Sequence, residues 1–306
     1  MARPTPTLSG FPRAFGRSDA LSSAGVKSLP HPAERRPGWR RLLQDPVTLV
    51  AAGTLLLLGL AALLAPLLAP HDPSRIDLRV AALPPGAGYP LGTDLLGRDI
   101  LSRSLHGARV SLAVCLSAAA IAALLGVALG VVAAYYGRWI DVVVTRLVDA
   151  SLAMPAFFLL IAVQSLIGAG IVNVVIMVSL VGWMPVARVV RALTLGLKER
   201  EFILAARALG CSGIRIVLRH ILPNLAGQVG VLFALGVADA LLVESALSFL
   251  GMGVPVTEAS WGNMLSDAQA AILSGAWWMA TLPGALILAT ALAINLLGDG
   301  LQEAYL

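Results

Sequence analysis

Apolar residues arrive in six long runs, at Val47 to Leu68, Val110 to Tyr135, Val142 to Ile167, Ile171 to Val190, Gly227 to Leu250 and Trp278 to Leu297. Each is close to the ~20 residues that an α-helix needs to cross a bilayer. The pattern therefore predicts an all-α integral membrane protein with six transmembrane helices. The third run is the least pure. It carries Arg146 and Asp149, which helical spacing puts on one face with Thr145 so that the charges can neutralise one another, and Pro155 is expected to bend it. Between the first two runs, residues 69–109 form a proline-rich segment with mixed Asp and Arg. Within it Leu95 to Leu105 alternates apolar and charged positions at helical spacing, which predicts a helix lying along the membrane surface. The chain thus divides into a tail at 1–46, a first span at 47–68, a loop at 69–109 and a core of five spans at 110–306.

The long polar interruption in the second half, Lys198 to Asn224, has its own helical period. Phe202, Ala205, Ala206 and Leu209 recur three and four residues apart, and after Gly210 a second short helix follows. Ser212 is placed to cap that helix, Ile214, Val217, Leu218 and Ile221 form its apolar face, and Pro223 is expected to stop it. Gly210 falls where the chain must turn between the two. Arg207, Arg215 and Arg219 stay on the polar side. Two short helices at a fixed angle, basic on one face and apolar on the other, suit a groove on another protein.

Composition supports the membrane reading, with 58% hydrophobic and 13% charged residues. The formal charge of +5 is spread over flanks and loops, without the patch that nucleic-acid binding needs. Of the 22 Lys and Arg, 17 fall on the side of the tail and the Lys198–Asn224 loop, and 5 in residues 69–109. The positive-inside rule then puts both termini and the two-helix loop in the cytoplasm. The basic, proline-rich tail reads as disordered. It is not a signal peptide, because the run after it is too long and lacks a small-residue cleavage site. Two cysteines, Cys115 and Cys211, imply no disulfide framework.

No catalytic or cofactor chemistry is legible. The lysines Lys27 and Lys198 follow Val26 and Leu197, so a phosphate-binding GxxxxGK[ST] loop cannot occur. His31, His71, His106 and His220 lack partners at metal-ligand spacing. The chain is expected not to be an enzyme and to hold no cofactor or metal. Within the fifth run Asp239 and Glu244 are costly in a membrane. They sit about 140° apart on a helix, and each can be read as lining a path, as can Arg146 and Asp149, or as a buried hydrogen bond between helices.

Ala205, Ala206, Gly210, Leu222 and Pro223 match the spacing of the coupling loop in permease subunits of bacterial ABC importers. The chain resembles that family further in PLGTDLLGRDILSRSLHGARVSL at 90–112, ESALSFLGMGV at 244–254, SWGNML at 260–265 and NLLGDGL at 295–301. These point to the C-type subunit of the peptide branch. Two positions depart from the pattern: Leu204 stands where Glu is usual and His220 where an aliphatic residue is usual. The resemblance implies a type I importer fold in the inner membrane and a related permease subunit as heterodimer partner. It also implies two separate ATP-binding subunits gripping the loop, with Arg207 and Arg215 aiding apolar docking, and an external solute-binding protein. The cargo it implies is a peptide, with glutathione or nickel complexes as alternatives. A self-contained ion-coupled carrier is the competing class.

Overall fold

The computed structural model describes residues 44–305. The expected tail therefore lies outside the described residues except at its end, where Asp45 caps the first helix through the backbone N–H groups of Val47 and Thr48. The elements are α1 (Pro46–Leu63), α2 (Ala65–Leu68), a 3₁₀ turn (Leu78–Val80), α3 (Ile100–Tyr136), α4 (Arg138–Leu152), α5 (Ala156–Ile167), α6 (Ile171–Lys198), α7 (Glu201–Ala208), α8 (Gly213–Ile216), a π turn (Val217–Ile221), α9 (Leu222–Phe249), α10 (Trp261–Leu273) and α11 (Trp278–Tyr305). Five stretches are long and apolar enough to cross a membrane: α1, α3, α6, α8 through α9, and α11. A sixth crossing is made if α4 and α5 count as one broken span, the two being bent by 88°. Pro155, at the start of α5, cannot donate a backbone hydrogen bond and disfavours helical geometry in the residue before it. The expected bend is thus a break between two helices.

No separate surface helix covers Leu95 to Leu105. The carboxylate of Asp94 accepts the backbone N–H groups of Leu96 and Arg98, both at 2.9 Å, which folds this stretch into a turn. Asp99 then caps a new helix by accepting from Ser102 N at 3.0 Å. Nothing interrupts that helix between Leu105 and Val110, so surface segment and second span are one 37-residue rod, about 56 Å long at 1.5 Å per residue.

This rod is the spine of the bundle, packing against α6, α9 and α1. Its inner face is a ladder of small buried residues, including Ala118, Ala119, Ala122, Gly126 and Gly130. At Gly126 a Cβ would stand 2.6 Å from Val186 Cβ and 2.8 Å from the Trp183 carbonyl, and at Gly130 one would stand 2.7 Å from the Ala187 carbonyl. The two glycines, four residues apart, let the α3 and α6 backbones meet, a device that suits membranes because lipid gives apolar side chains no reason to associate. Gly300 of α11 lies against Thr48 of α1, where an added Cβ would stand 2.2 Å from Thr48 Oγ1 and force that side chain to shift.

Candidate functional site

At one end of the bundle α7 and α8 form the expected pair of short helices. Gly210 has φ +77°, and the turn closes with Gly210 N–H donating to Arg207 O and Cys211 N–H to Ala206 O. This pair of hydrogen bonds is the Schellman C-cap that a left-handed glycine makes cheap. The second helix departs from expectation at both ends. Ser212 occupies the N-cap position but its hydroxyl makes no capping bond. Pro223 does not stop the helix, because it sits in the first turn of α9, where a missing N–H is tolerated. The π turn just before it carries the chain from α8 into α9 without a break.

The apolar residues of this loop divide between two faces. Ile203, Ala206, Ile216, Ile221 and Leu225 are buried against Val131, Val186 and Val190 and hold the loop to the bundle. Facing away are Ala205, Phe202, Leu204, Leu209 (85% exposed), Ile214 (66%) and Leu218 (61%). Ile203 and Ile216 carry the buried anchoring and were not legible in the sequence. The periodic residues around them satisfied the same pattern, and only the packing tells the faces apart. Arg207 folds back over the Tyr135 ring, 5.8 Å from its centroid, and Lys198 Nζ donates to Ala134 O at 3.2 Å. Arg215 and Pro223 are exposed and Leu222 is half-buried.

At the opposite end, the residues of the SWGNML stretch each have a task. Ser260 caps α10 through Asn263 N–H. The fully buried Trp261 donates its indole N–H to Ser104 O at 3.1 Å. Gly262 lies under α9, where a Cβ would stand 2.6 Å from Ser245 O. The Asn263 amide ties down the preceding loop by donating to Val254 O, Pro255 O and Glu258 O. Beside this knot, Asp94 accepts from Arg98 Nε at 2.6 Å and from the buried Arg103, and both arginines also reach Asp267 of α10, at 2.8 and 3.1 Å. Two of the five arginines in the 69–109 loop are thereby neutralised. Asp94 to Arg98 is a local spacing the sequence displays, but Asp267, 164 residues from Arg103, gave no local signal.

The four polar residues considered as a path lining do not come together as one site. Asp149 pairs with Arg188 of α6 at 2.6 Å instead of with Arg146, which is exposed. Asp141, on the same helix, pairs with Arg191 at 2.5 Å. Glu244 is fully buried. It accepts from Ser248 Oγ at 2.8 Å and Ser245 Oγ at 3.4 Å, with Ser111 and Ser260 also against it. The arrangement fits the interhelical hydrogen-bond reading, since a membrane carboxyl is tolerated where hydroxyls surround it. Asp239 lies on the exposed face of α9.

Residues 126–305 match the family model of the binding-protein-dependent transport system inner membrane component. The chain belongs to that family. Residues 36–85 match the N-terminal transmembrane domain of oligopeptide transport permease C, so this permease is of the C type. Among similar proteins, the dipeptide transport system permease protein DppC of Bacillus subtilis is 40% identical over 266 residues, 87% of this chain and 83% of the relative. A protein of Brucella suis biovar 1, provisionally named a peptide permease, is 38% identical over 87% of this chain and 88% of its own length. One from Brucella abortus, provisionally named a peptide transport system permease, is 39% identical over 86% and 88%. The permease is therefore a multi-pass inner-membrane translocation subunit of an ABC importer, and the self-contained carrier is set aside.

Proposed function

We propose that this permease forms, with a related subunit, the path by which peptides enter the cell, and that a separate ATPase drives it through the α7–α8 loop on the cytoplasmic side. The exposed apolar face of that loop carries the reading. Phe202, Leu209, Ile214 and Leu218 stay in the open while Ile203, Ile216 and Ile221 fix the helices from behind. An apolar face held rigidly from behind has the form of a docking surface. Leu204, standing where the family's Glu is usual, adds apolar area to that face. Peptide cargo is supported by the names of the relatives, which favours it over glutathione or nickel complexes. Delivery by a solute-binding protein is supported by the family description. The 17 to 5 division of basic residues supports both termini inside.

The loop supplies the test. Ala205→Trp places bulk on the outward face and is expected to abolish recovery of the ATPase with the purified permease. Ala206→Trp instead pushes into the permease's own packing, lowering thermal stability as overpacking does. ATPase recovery and peptide uptake that are both normal in Ala205→Trp would remove this face as the interface.

A further inference from the structure

At the end of the bundle that carries Trp261, a cavity of about 1160 Å³ opens between the last turns of α1, the first half of α3 and residues 256–259. Its lining is graded. Arg98, Arg103, His106 and Arg109 lie at the top, and Leu112, Ala113 and Leu116 continue one stripe down α3. Two of the four basic groups are already spoken for, since Arg98 and Arg103 pair with Asp94 and Asp267. His106 Nδ1 lies 3.0 Å from Ser102 O, to which it must donate because a carbonyl can only accept. Arg109 is exposed and, among the described residues, takes part in no ion pair; the same holds for Glu258 on the facing loop.

The depth of Arg109 is set by the helix it stands on. From Arg109 to Tyr135 is about 39 Å at 1.5 Å per residue. That is close to the roughly 40–45 Å of a bilayer with its headgroup regions. With the Tyr135–Tyr136 pair at one interface, where such rings settle, Arg109 stands at the headgroup level of the other. The apolar floor is continuous with the outside of the bundle, because Leu63 and Leu116, which line it, are 73% and 47% exposed.

We infer that this cavity holds a phospholipid with an amine headgroup, its phosphate on Arg109, its ammonium toward Glu258 and an acyl chain along Leu112, Ala113 and Leu116. A peptide in transit would not need an apolar stripe continuous with the exposed Leu63 and Leu116. A purely anionic headgroup would face the Glu258 carboxylate. The leaflet rests on the orientation proposed above, but the binding itself does not.

The test uses the importer purified with its partner subunits in mild detergent, stripped of lipid and titrated with dioleoyl-phosphatidylethanolamine, binding being read by native mass spectrometry. The expected result is one lipid per permease, at least tenfold weaker in Arg109→Ala and largely restored in Arg109→Lys. Preference over dioleoyl-phosphatidylglycerol should be lost in Glu258→Gln. ATPase recovery should be unchanged in all three, since the α7–α8 loop is at the other end, so failure here is separable from failure of the docking reading. Equal binding in Arg109→Ala would overturn the proposal. So would competition by glycerol phosphate as effective as by the lipid, which would mean an anion site alone. One-for-one displacement by a transported dipeptide would also overturn it, and would give the cavity to the path.

Discussion

Adding one methyl group to Gly126 should measure how tightly the spine of this permease is drawn against α6. In Gly126→Ala the new Cβ would lie 2.6 Å from Val186 Cβ, 2.7 Å from Val186 Cγ1 and 2.8 Å from Trp183 O, whereas carbon atoms rest about 3.5–4.0 Å apart. The helices must separate by about 1 Å, and overpacking of this kind costs about 1–3 kcal/mol. Val186→Ala removes Cγ1 and Cγ2 but leaves its own Cβ and the Trp183 carbonyl in place, so the double variant should recover part of the loss, with a coupling of about 1 kcal/mol. Thermal unfolding in detergent can be followed by maleimide capture of Cys115, which is fully buried on α3, in a Cys211→Ser background. Unchanged stability in Gly126→Ala, or strictly additive effects in the double variant, would refute close packing at this crossing.

Gly210→Val has no neighbour to strike, since nothing lies within 4 Å of its Cβ position. Its cost is the left-handed backbone alone, about 1–2 kcal/mol, so ATPase recovery should fall while insertion is normal, and Gly210→Asn should lose less. Asp94→Asn removes the buried one of the two carboxylates that Arg103 pairs with and leaves it only Asp267, so it should lower the melting temperature clearly more than Asp267→Asn, at the half-exposed partner; the two melting temperatures decide. Trp261→Phe keeps most of the buried ring but forfeits the bond to Ser104 O, a loss of about 1 kcal/mol, whereas Trp261→Ala should cost about 3–5 kcal/mol in the same assay.

The sequence displayed what depends on local period and composition. The apolar runs, the turn at Gly210 and the bend at Pro155 all follow from side chains acting on their own stretch of backbone. The limits of each helix were less legible. Whether Leu95–Leu105 lay flat or joined the next span was settled by Asp99 acting as a cap, and Pro223 read as a stop although the first turn of α9 accommodates it. Long-range partners were not legible at all. Helical spacing offered Arg146 to Asp149, yet Arg188 arrives from another helix at 2.6 Å. Within the loop, periodicity could not separate Ala205 from Ala206, because adjacent positions on one apolar stripe differ only in what packs behind them.

The break between α4 and α5 bears on how the protein is made. An 88° turn separates the two helices at Pro155, which cannot donate, just after Ala153 and Met154, whose N–H groups still reach Asp149 O and Ser151 O; Met154 is half exposed. Backbone released from a helix is tolerated at membrane depth only against protein or water, because hydrocarbon offers its N–H and C=O groups nothing to bond. If α4 and α5 make one broken span, a copy of this chain alone in a bilayer leaves the open helix ends at that seam without protein or water to bond, at a cost of several kcal/mol per unsatisfied group. If the related subunit proposed above covers that seam, the cellular abundance of this chain should follow the supply of that subunit more closely than its own rate of translation.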